Sequence, residues 1–141
     1  MQLEKSIDVA RSRDQVVELL SRDETLVRLM TSGETEIIES DGDRRTTRTQ
    51  YRALGREGVA TFHFTYLMDG GIRFEKVCDG RVWRELRGEV SVDETSRGGS
   101  SVKIELVGRT KSLVPEFTIK GPMEEQIAEM TQALSDLLEE S

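Results

Sequence analysis

The sequence is poor in the residues that most often carry chemistry or covalent cross-links. It has one cysteine (Cys78), one histidine (His63) and one tryptophan among 141 residues. A lone cysteine cannot build a disulfide framework within the chain, which favours a reducing, cytoplasmic compartment. The histidine and the cysteine lie fifteen positions apart, a spacing that matches no recognised metal site. We therefore predict no metal site, no cofactor and no catalytic residue.

Basic residues and long apolar runs are also scarce. Lys plus Arg is 20 and Asp plus Glu is 27, so the net charge is 20 − 27 = −7. Such an acidic surface repels phosphate backbones, so nucleic acid is not an expected partner. No stretch approaches the roughly 20 apolar residues that cross a bilayer, and the first residues lack the apolar region of a signal peptide. The length predicts one domain over residues 1–141.

The apolar residues at the start of the chain recur first with the period of a strand and then with the period of a helix. "LEKSIDV" at 3–9 alternates apolar and polar residues and predicts a strand. "SRDQVVELLS" then predicts a helix, with Ser12 and Gln15 as a capping box. Asp23 is expected to cap a second short helix.

From residue 34 onward the pattern predicts strands joined by short turns. Asp-Gly and Gly-Gly pairs separate the apolar runs at 41–43, 69–71, 78–81 and 95–100, and "GREG" separates them at 55–58. No helical period interrupts these runs. The sequence therefore predicts six consecutive antiparallel strands after the two helices.

A long helix is predicted to follow the last strand. Gly121 and Pro122 are typical of a helix start, with the proline at the first helical position. Whether the preceding "VPEFTI" adds a turn is left open. An apolar stripe then recurs at spacings of four and three residues, formed by Met123, Ile127, Met130, Leu134 and Leu137.

One apolar helix stripe needs an apolar sheet face to cover it. We predict an α+β fold in which a curved seven-stranded antiparallel sheet wraps around the long C-terminal helix, with two short helices after the first strand.

These elements resemble those of the START-like (SRPBCC) superfamily, whose architecture is called the helix-grip fold and which includes Bet v 1-type allergens. The resemblance lies in "SIDVARSRDQVVELLSRDETL", in the Asp-Gly and "RGGSSVKIELVG" hairpins, and in the closing helix. The tail "SLVPEFTIKGPMEEQIAEMTQALSDLLEE" looks most like polyketide cyclase/dehydrase-type and CoxG-like bacterial members. The resemblance implies a cavity between the sheet and the long helix that takes an apolar or amphipathic small molecule.

The strand "VATFHFTYLM" is the best candidate for the cavity wall, because alternate residues share a face. Its aromatic set is expected to face inward, which leaves His63 on the outer face. A bulge after Gly58 would reverse this phase and make His63 an inward imidazole. The predicted ligand-binding residues are Phe62, Phe64, Tyr66, Met68, Tyr51, Phe74, Met123, Ile127 and Met130.

Three further positions leave alternatives open. Trp83 is out of phase with the apolar positions that follow it, so it either covers the outer face or precedes a bulge. Gly88 and Gly108 lie on apolar faces, where a glycine lets the sheet bend or lets another group approach the backbone. The five arginines of "RRTTRTQYRALGR" predict a solvated strand face or a site for an acidic partner, with Arg45 the one most able to reach inward.

Three functions fit these features. The first is non-catalytic binding of an apolar or amphipathic small molecule, favoured by the aromatic face and the adaptable methionines. The second is a polyketide cyclase/dehydratase-like enzyme that uses Tyr66, Tyr51 and Arg45 as polar contacts. The third is a protein-interaction domain resembling Hsp90-activator domains.

Overall fold

The computed structural model describes residues 1–30, 33–53, 56–78 and 82–140. Seven strands and three helices follow one another in the predicted order. Their bounds are β1 Gln2–Val9, α1 Arg13–Leu20, α2 Asp23–Leu29, β2 Gly33–Asp41, β3 Arg44–Ala53, β4 Arg56–Tyr66, β5 Ile72–Lys76, β6 Trp83–Glu94, β7 Ser100–Thr110 and α3 Phe117–Glu140.

The strands form one antiparallel sheet in the order β1-β7-β6-β5-β4-β3-β2. Each strand from β2 to β7 pairs with its neighbours in the chain, while β1 crosses to pair with β7. The predicted α+β helix-grip architecture is confirmed: the open sheet wraps around α3, and the two short helices follow β1.

Local signals place three of the turns and the cap of α1, whereas α2 has Arg22 at its N-cap and Asp23 is its first helical residue. The Ser12 side chain accepts a hydrogen bond from the Gln15 amide, and the Gln15 side chain bonds back to the Ser12 amide, so the capping box is present. Gly42, Gly70 and Gly98 adopt positive φ in the turns after β2, β4 and β6, a conformation that glycine reaches without steric cost. The turn predicted at 78–81 and the start of the one at 55–58 lie largely outside the described residues.

Helix α3 begins earlier than its Gly-Pro pair predicts. It starts at Phe117, so Pro122 lies inside the helix rather than at its first position. Ile119 is buried and extends the apolar stripe by one turn, and burial of that side chain favours the extra turn despite the backbone hydrogen bond that a proline removes. The predicted stripe itself is confirmed, since all five of its residues are buried.

The core fills the space between the concave sheet face and α3. Phe64, Phe74 and Met130 are each at most 1% exposed, and the rings of Phe64 and Phe74 lie 5.8 Å apart. The inward positions of β6 and β7 are buried as their alternation predicts. A methyl group at Gly88 would clash with the Phe74 ring, so this glycine serves close packing.

Candidate functional site

A cavity of about 200 Å³ lies between the concave sheet face and the first turns of α3. Its position follows from the topology. In an antiparallel sheet neighbouring strands run in opposite directions, so the last residues of β3, β5 and β7 lie at the same edge as the first residues of β4 and β6. The strand positions nearest that edge, Tyr51, Lys76 and Trp83, contribute to the cavity wall.

Most of the wall is apolar. Strands β4 and β6 supply its floor, the end of α2 supplies one side, and α3 covers it; these elements contribute Met30, Ala60, Phe62, Leu86, Pro122 and Met123. Pro122 is exposed and Gln126 and Lys76 are half-buried, so the cavity opens to solvent beside these residues. An apolar chamber with a polar opening suits a ligand that is apolar at one end.

Two glycines let bulky wall residues pack directly on the backbone. A Cβ at Gly58 would lie 2.5 Å from the Tyr51 ring, and one at Gly108 would lie 2.6 Å from the sulfur of Met123 and 2.9 Å from Trp83. Any larger residue at either position would push these side chains into the cavity. The glycines therefore help set the shape of the wall.

Four polar side chains interrupt the apolar wall. They are Thr49, Tyr51, Lys76 and Gln126. The Thr49 hydroxyl lies 2.7 Å from that of Thr35 on the adjacent strand, and the Gln126 amide donates to the sulfur of Met30 at 3.3 Å. Among the described residues that line the cavity, Lys76 alone carries a charge.

Lys76 is placed inward by the phase of β5. Ile72 and Phe74 are buried while Arg73 and Glu75 are exposed, so Lys76 continues the inward set. It pairs in register with Phe62, and its ammonium lies 5.8 Å from the centroid of the Trp83 ring. That distance is within the range of a cation–π contact.

The predicted ligand-binding residues lie in three places: the cavity wall, the packed core and the end of β4 that carries the turn to β5. Tyr51, Phe62 and Met123 lie in the cavity wall. Four others, namely Phe64, Phe74, Ile127 and Met130, belong to the packed core and do not line this cavity.

Met68 and Tyr66 differ from the predicted placement. Strand β4 ends at Tyr66, so Met68 lies in the following turn and is fully exposed rather than on the concave face. Tyr66 lies at the opposite end of β4 from the cavity, beside the turn between β4 and β5. The predicted alternation continues past Tyr66, where the strand ends, so it assigns Met68 the wrong environment.

Tyr66 is part of a small polar cluster that fastens α2 to the sheet. Its hydroxyl donates to Oδ1 of Asp23 at 2.7 Å, and Nε of Arg45 donates to the same oxygen at 3.1 Å. The Arg45 guanidinium also lies 5.3 Å from the centroid of the Tyr66 ring. Burial, reinforced by the hydrogen bond to the Asp23 carboxylate, raises the pKa of the Tyr66 hydroxyl well above its usual value. Two of the three polar groups expected to contact a ligand, Tyr66 and Arg45, are thus engaged by Asp23.

His63 faces the outer side of the sheet. The β3–β4 ladder runs without a register shift, so the bulge that would have turned His63 inward does not occur. The histidine Nδ1 lies 2.9 Å from the Thr46 hydroxyl on the neighbouring strand. It borders an outer groove of about 290 Å³ whose other walls are mostly charged side chains, such as Arg73 and Glu75.

Trp83 and Lys76 are cavity residues that sequence reasoning did not assign. The register shifts between Trp83 and Glu85, which turns Trp83 toward the cavity and decides in favour of the bulge. The sequence does indicate that Lys76 faces inward, because it lies two positions after Phe74 and shares its face of the strand.

No group of three metal-ligating side chains comes together within the described ranges. In that same part of the chain no helix is both long and apolar enough to span a membrane.

No protein-family model matches the sequence, and no curated protein matches it. Solved structures do match in shape. A START superfamily protein from Mycobacterium smegmatis is 18% identical with a TM-score of 0.75, covering 99% of this chain and 97% of that one. The Zhui aromatase/cyclase from Streptomyces sp. R1128 is 14% identical with a TM-score of 0.77, covering 99% and 92%.

A STAR-related lipid transfer protein from Xanthomonas axonopodis is 18% identical with a TM-score of 0.68, covering 98% of this chain and 85% of that one. At these identities the likeness establishes a shared fold, and the chain has the START-like helix-grip fold. A shared fold does not define a reaction.

Proposed function

We propose that this protein binds a small apolar or amphipathic molecule, without catalysis, in the cavity between β3, β4, β6 and α3. The observation that carries the proposal is the cavity of about 200 Å³ with its apolar floor and its polar opening. A neighbour of the same fold is described as a lipid transfer protein, which supports an apolar ligand.

The enzyme alternative depends on polar groups that converge on a substrate. An aromatase/cyclase is among the neighbours of this fold. In this chain, however, Tyr66 and Arg45 bind Asp23, and only Tyr51 of the three expected groups lines the cavity. Binding is therefore the better-supported function.

The protein-interaction alternative depends on a filled core or on a free arginine face. The core is filled around Phe64 and Met130 but not beside Tyr51 and Trp83, where the cavity lies. On the outer face of the sheet, Arg48 is paired with Glu36 of the neighbouring strand. Neither feature favours a protein partner over a small ligand.

Trp83 provides the test, because it is the only tryptophan of the chain and lies in the cavity wall. We expect octanamide, a neutral molecule with an eight-carbon chain, to change the Trp83 fluorescence saturably. Ala60→Phe places a ring in the cavity and should abolish the change. Val59→Phe is the matched control, since Val59 is the adjacent residue on the outer face and is 59% exposed.

Circular dichroism of both variants verifies that they are folded. A wild-type protein whose fluorescence does not saturate, or an Ala60→Phe variant that still binds, contradicts the proposal. Native mass spectrometry of the purified protein would then identify a retained molecule, if the cavity holds one of another class.

A further inference from the structure

We propose that the ligand of this cavity is an amphipathic monocarboxylate whose carboxylate pairs with the ammonium of Lys76. The inference rests on the proposed function and names the chemical class of the ligand. It starts from a charged side chain placed in an apolar wall.

The environment of Lys76 is unusual for a lysine on this sheet. Two basic residues on the outer face of the sheet lie beside acids, Lys103 with Glu105 at 3.0 Å and Arg87 with Glu85 at 2.6 Å. Lys76 lies half-buried on the inner face, and among the described residues no carboxylate pairs with it. Its described contact is the face of Trp83.

Partial burial removes some of the water around the Lys76 ammonium, and no carboxylate of the described residues takes its place. A ligand carboxylate at the cavity mouth would supply that partner through a charge-assisted hydrogen bond. Neutral donors line the same cavity, since Gln126 offers an amide and Tyr51 a hydroxyl. Such donors suit an acceptor group on the ligand.

The apolar part of the wall sets the size of the ligand. It includes Ala60, Leu86 and Met123. A cavity of about 200 Å³ lies between the roughly 150 Å³ that accommodates benzene and the roughly 300 Å³ at which drug-sized sites begin. A molecule of about ten non-hydrogen atoms fits this range. A short acyl chain or a single substituted ring, ending in a carboxylate, has this size and polarity.

Octanoate and octanamide form a matched pair for the test, because they differ in charge but hardly in size. We expect the Trp83 fluorescence titration to give about tenfold tighter binding of octanoate by the wild type, as a hydrogen bond to a charged group provides. Lys76→Met keeps the aliphatic stem and removes the charge. In this variant the affinities for octanoate and octanamide should become equal within about twofold, whatever their absolute values.

Lys111→Met is the control for general electrostatic attraction, since Lys111 is exposed and does not line the cavity. It should keep the preference for octanoate. Lys76→Glu supplies a second variant, in which octylammonium should bind better than octanoate.

The outcomes separate the two proposals. Equal affinities of the wild type for octanoate and octanamide would overturn the carboxylate inference and leave the binding function standing. A preference that survives in Lys76→Met, or that disappears in Lys111→Met, also overturns it. If neither molecule binds, both proposals fail together.

Discussion

Two neighbouring threonines on the concave face differ in whether their hydroxyl groups are paired. Thr47 is completely buried, and its hydroxyl has no hydrogen-bond partner within the described part of the chain. Thr49 is nearly as buried, but its hydroxyl is paired with Thr35. An unpaired buried hydroxyl costs stability, whereas a paired one contributes to it.

We therefore expect Thr47→Val to raise the free energy of unfolding by about 1 kcal/mol, because valine has nearly the same shape and no hydroxyl to bury. Thr49→Val should lower it by about 1 kcal/mol, since it leaves Thr35 without its partner. Urea titrations of the two variants provide the comparison. Destabilisation by Thr47→Val would indicate that its hydroxyl has a partner in solution.

Tyr66 is the second residue whose hydroxyl can be tested. Tyr66→Phe should lower the free energy of unfolding by about 1 kcal/mol near pH 7, because the Asp23 carboxylate loses a donor at a partly exposed site. Ligand affinity should not change, since Tyr66 lies away from the cavity.

The raised pKa of Tyr66 makes this contribution depend on pH. The folded protein holds the phenol proton more tightly than the unfolded chain does, whose tyrosines ionise near pH 10. The contribution is complete below about pH 10 and is lost as the pH rises toward the folded pKa. Above about pH 10 the wild type should lose stability more steeply than Tyr66→Phe. Urea titrations at several alkaline pH values measure this difference. If the free energies of unfolding of the two proteins fall equally with pH, the result would argue against a Tyr66–Asp23 bond.

At the level of the element, helix α3 combines an anchoring function with a lining function. Met123 and Met130 are two turns apart on its stripe, and each is at most 1% exposed. Of the two, Met123 borders the cavity, while Met130 belongs to the core cluster and does not line it. The two methionines form a matched pair in which the residue type and helix face are constant.

Met130→Ala should lower the free energy of unfolding by about 2–5 kcal/mol, as for a residue in a packed core. Met123→Ala should cost less, because part of its surface already faces empty space and makes no contacts there. Thermal and urea denaturation of both variants measure the difference. Equal losses would mean that the cavity is closed around Met123 in solution.

For the whole molecule, the cavity couples ligand binding to folding stability. A ligand that binds only the folded state adds about 2.7 kcal/mol at a concentration of one hundred times Kd. For a domain of this size we expect octanoate to raise the Tm by several degrees at that concentration. The rise should be absent in Ala60→Phe and present in Val59→Phe. An equal shift in both variants would show that octanoate acts outside the cavity.

The sequence by itself determined the element order, the turns and most strand phases. Each depends on local properties: the capping box at Ser12 and Gln15, the positive φ available to Gly42 and Gly98, and the period of the apolar residues. It also favoured an outward His63, but the unshifted β3–β4 register was needed to exclude the bulge that would have turned the ring inward.

Tertiary structure decided where the space in the core remains. The volume left empty in a core depends on how side chains from distant strands fit together, and no local sequence pattern specifies that fit. The contact of Met123 and Trp83 with Gly108, the bulge after Trp83 and the partnership of Tyr66 with Asp23 are all of this kind. The cavity therefore lies beside Tyr51, at the end of the predicted aromatic face and not in its middle, and Lys76 lies at its opening.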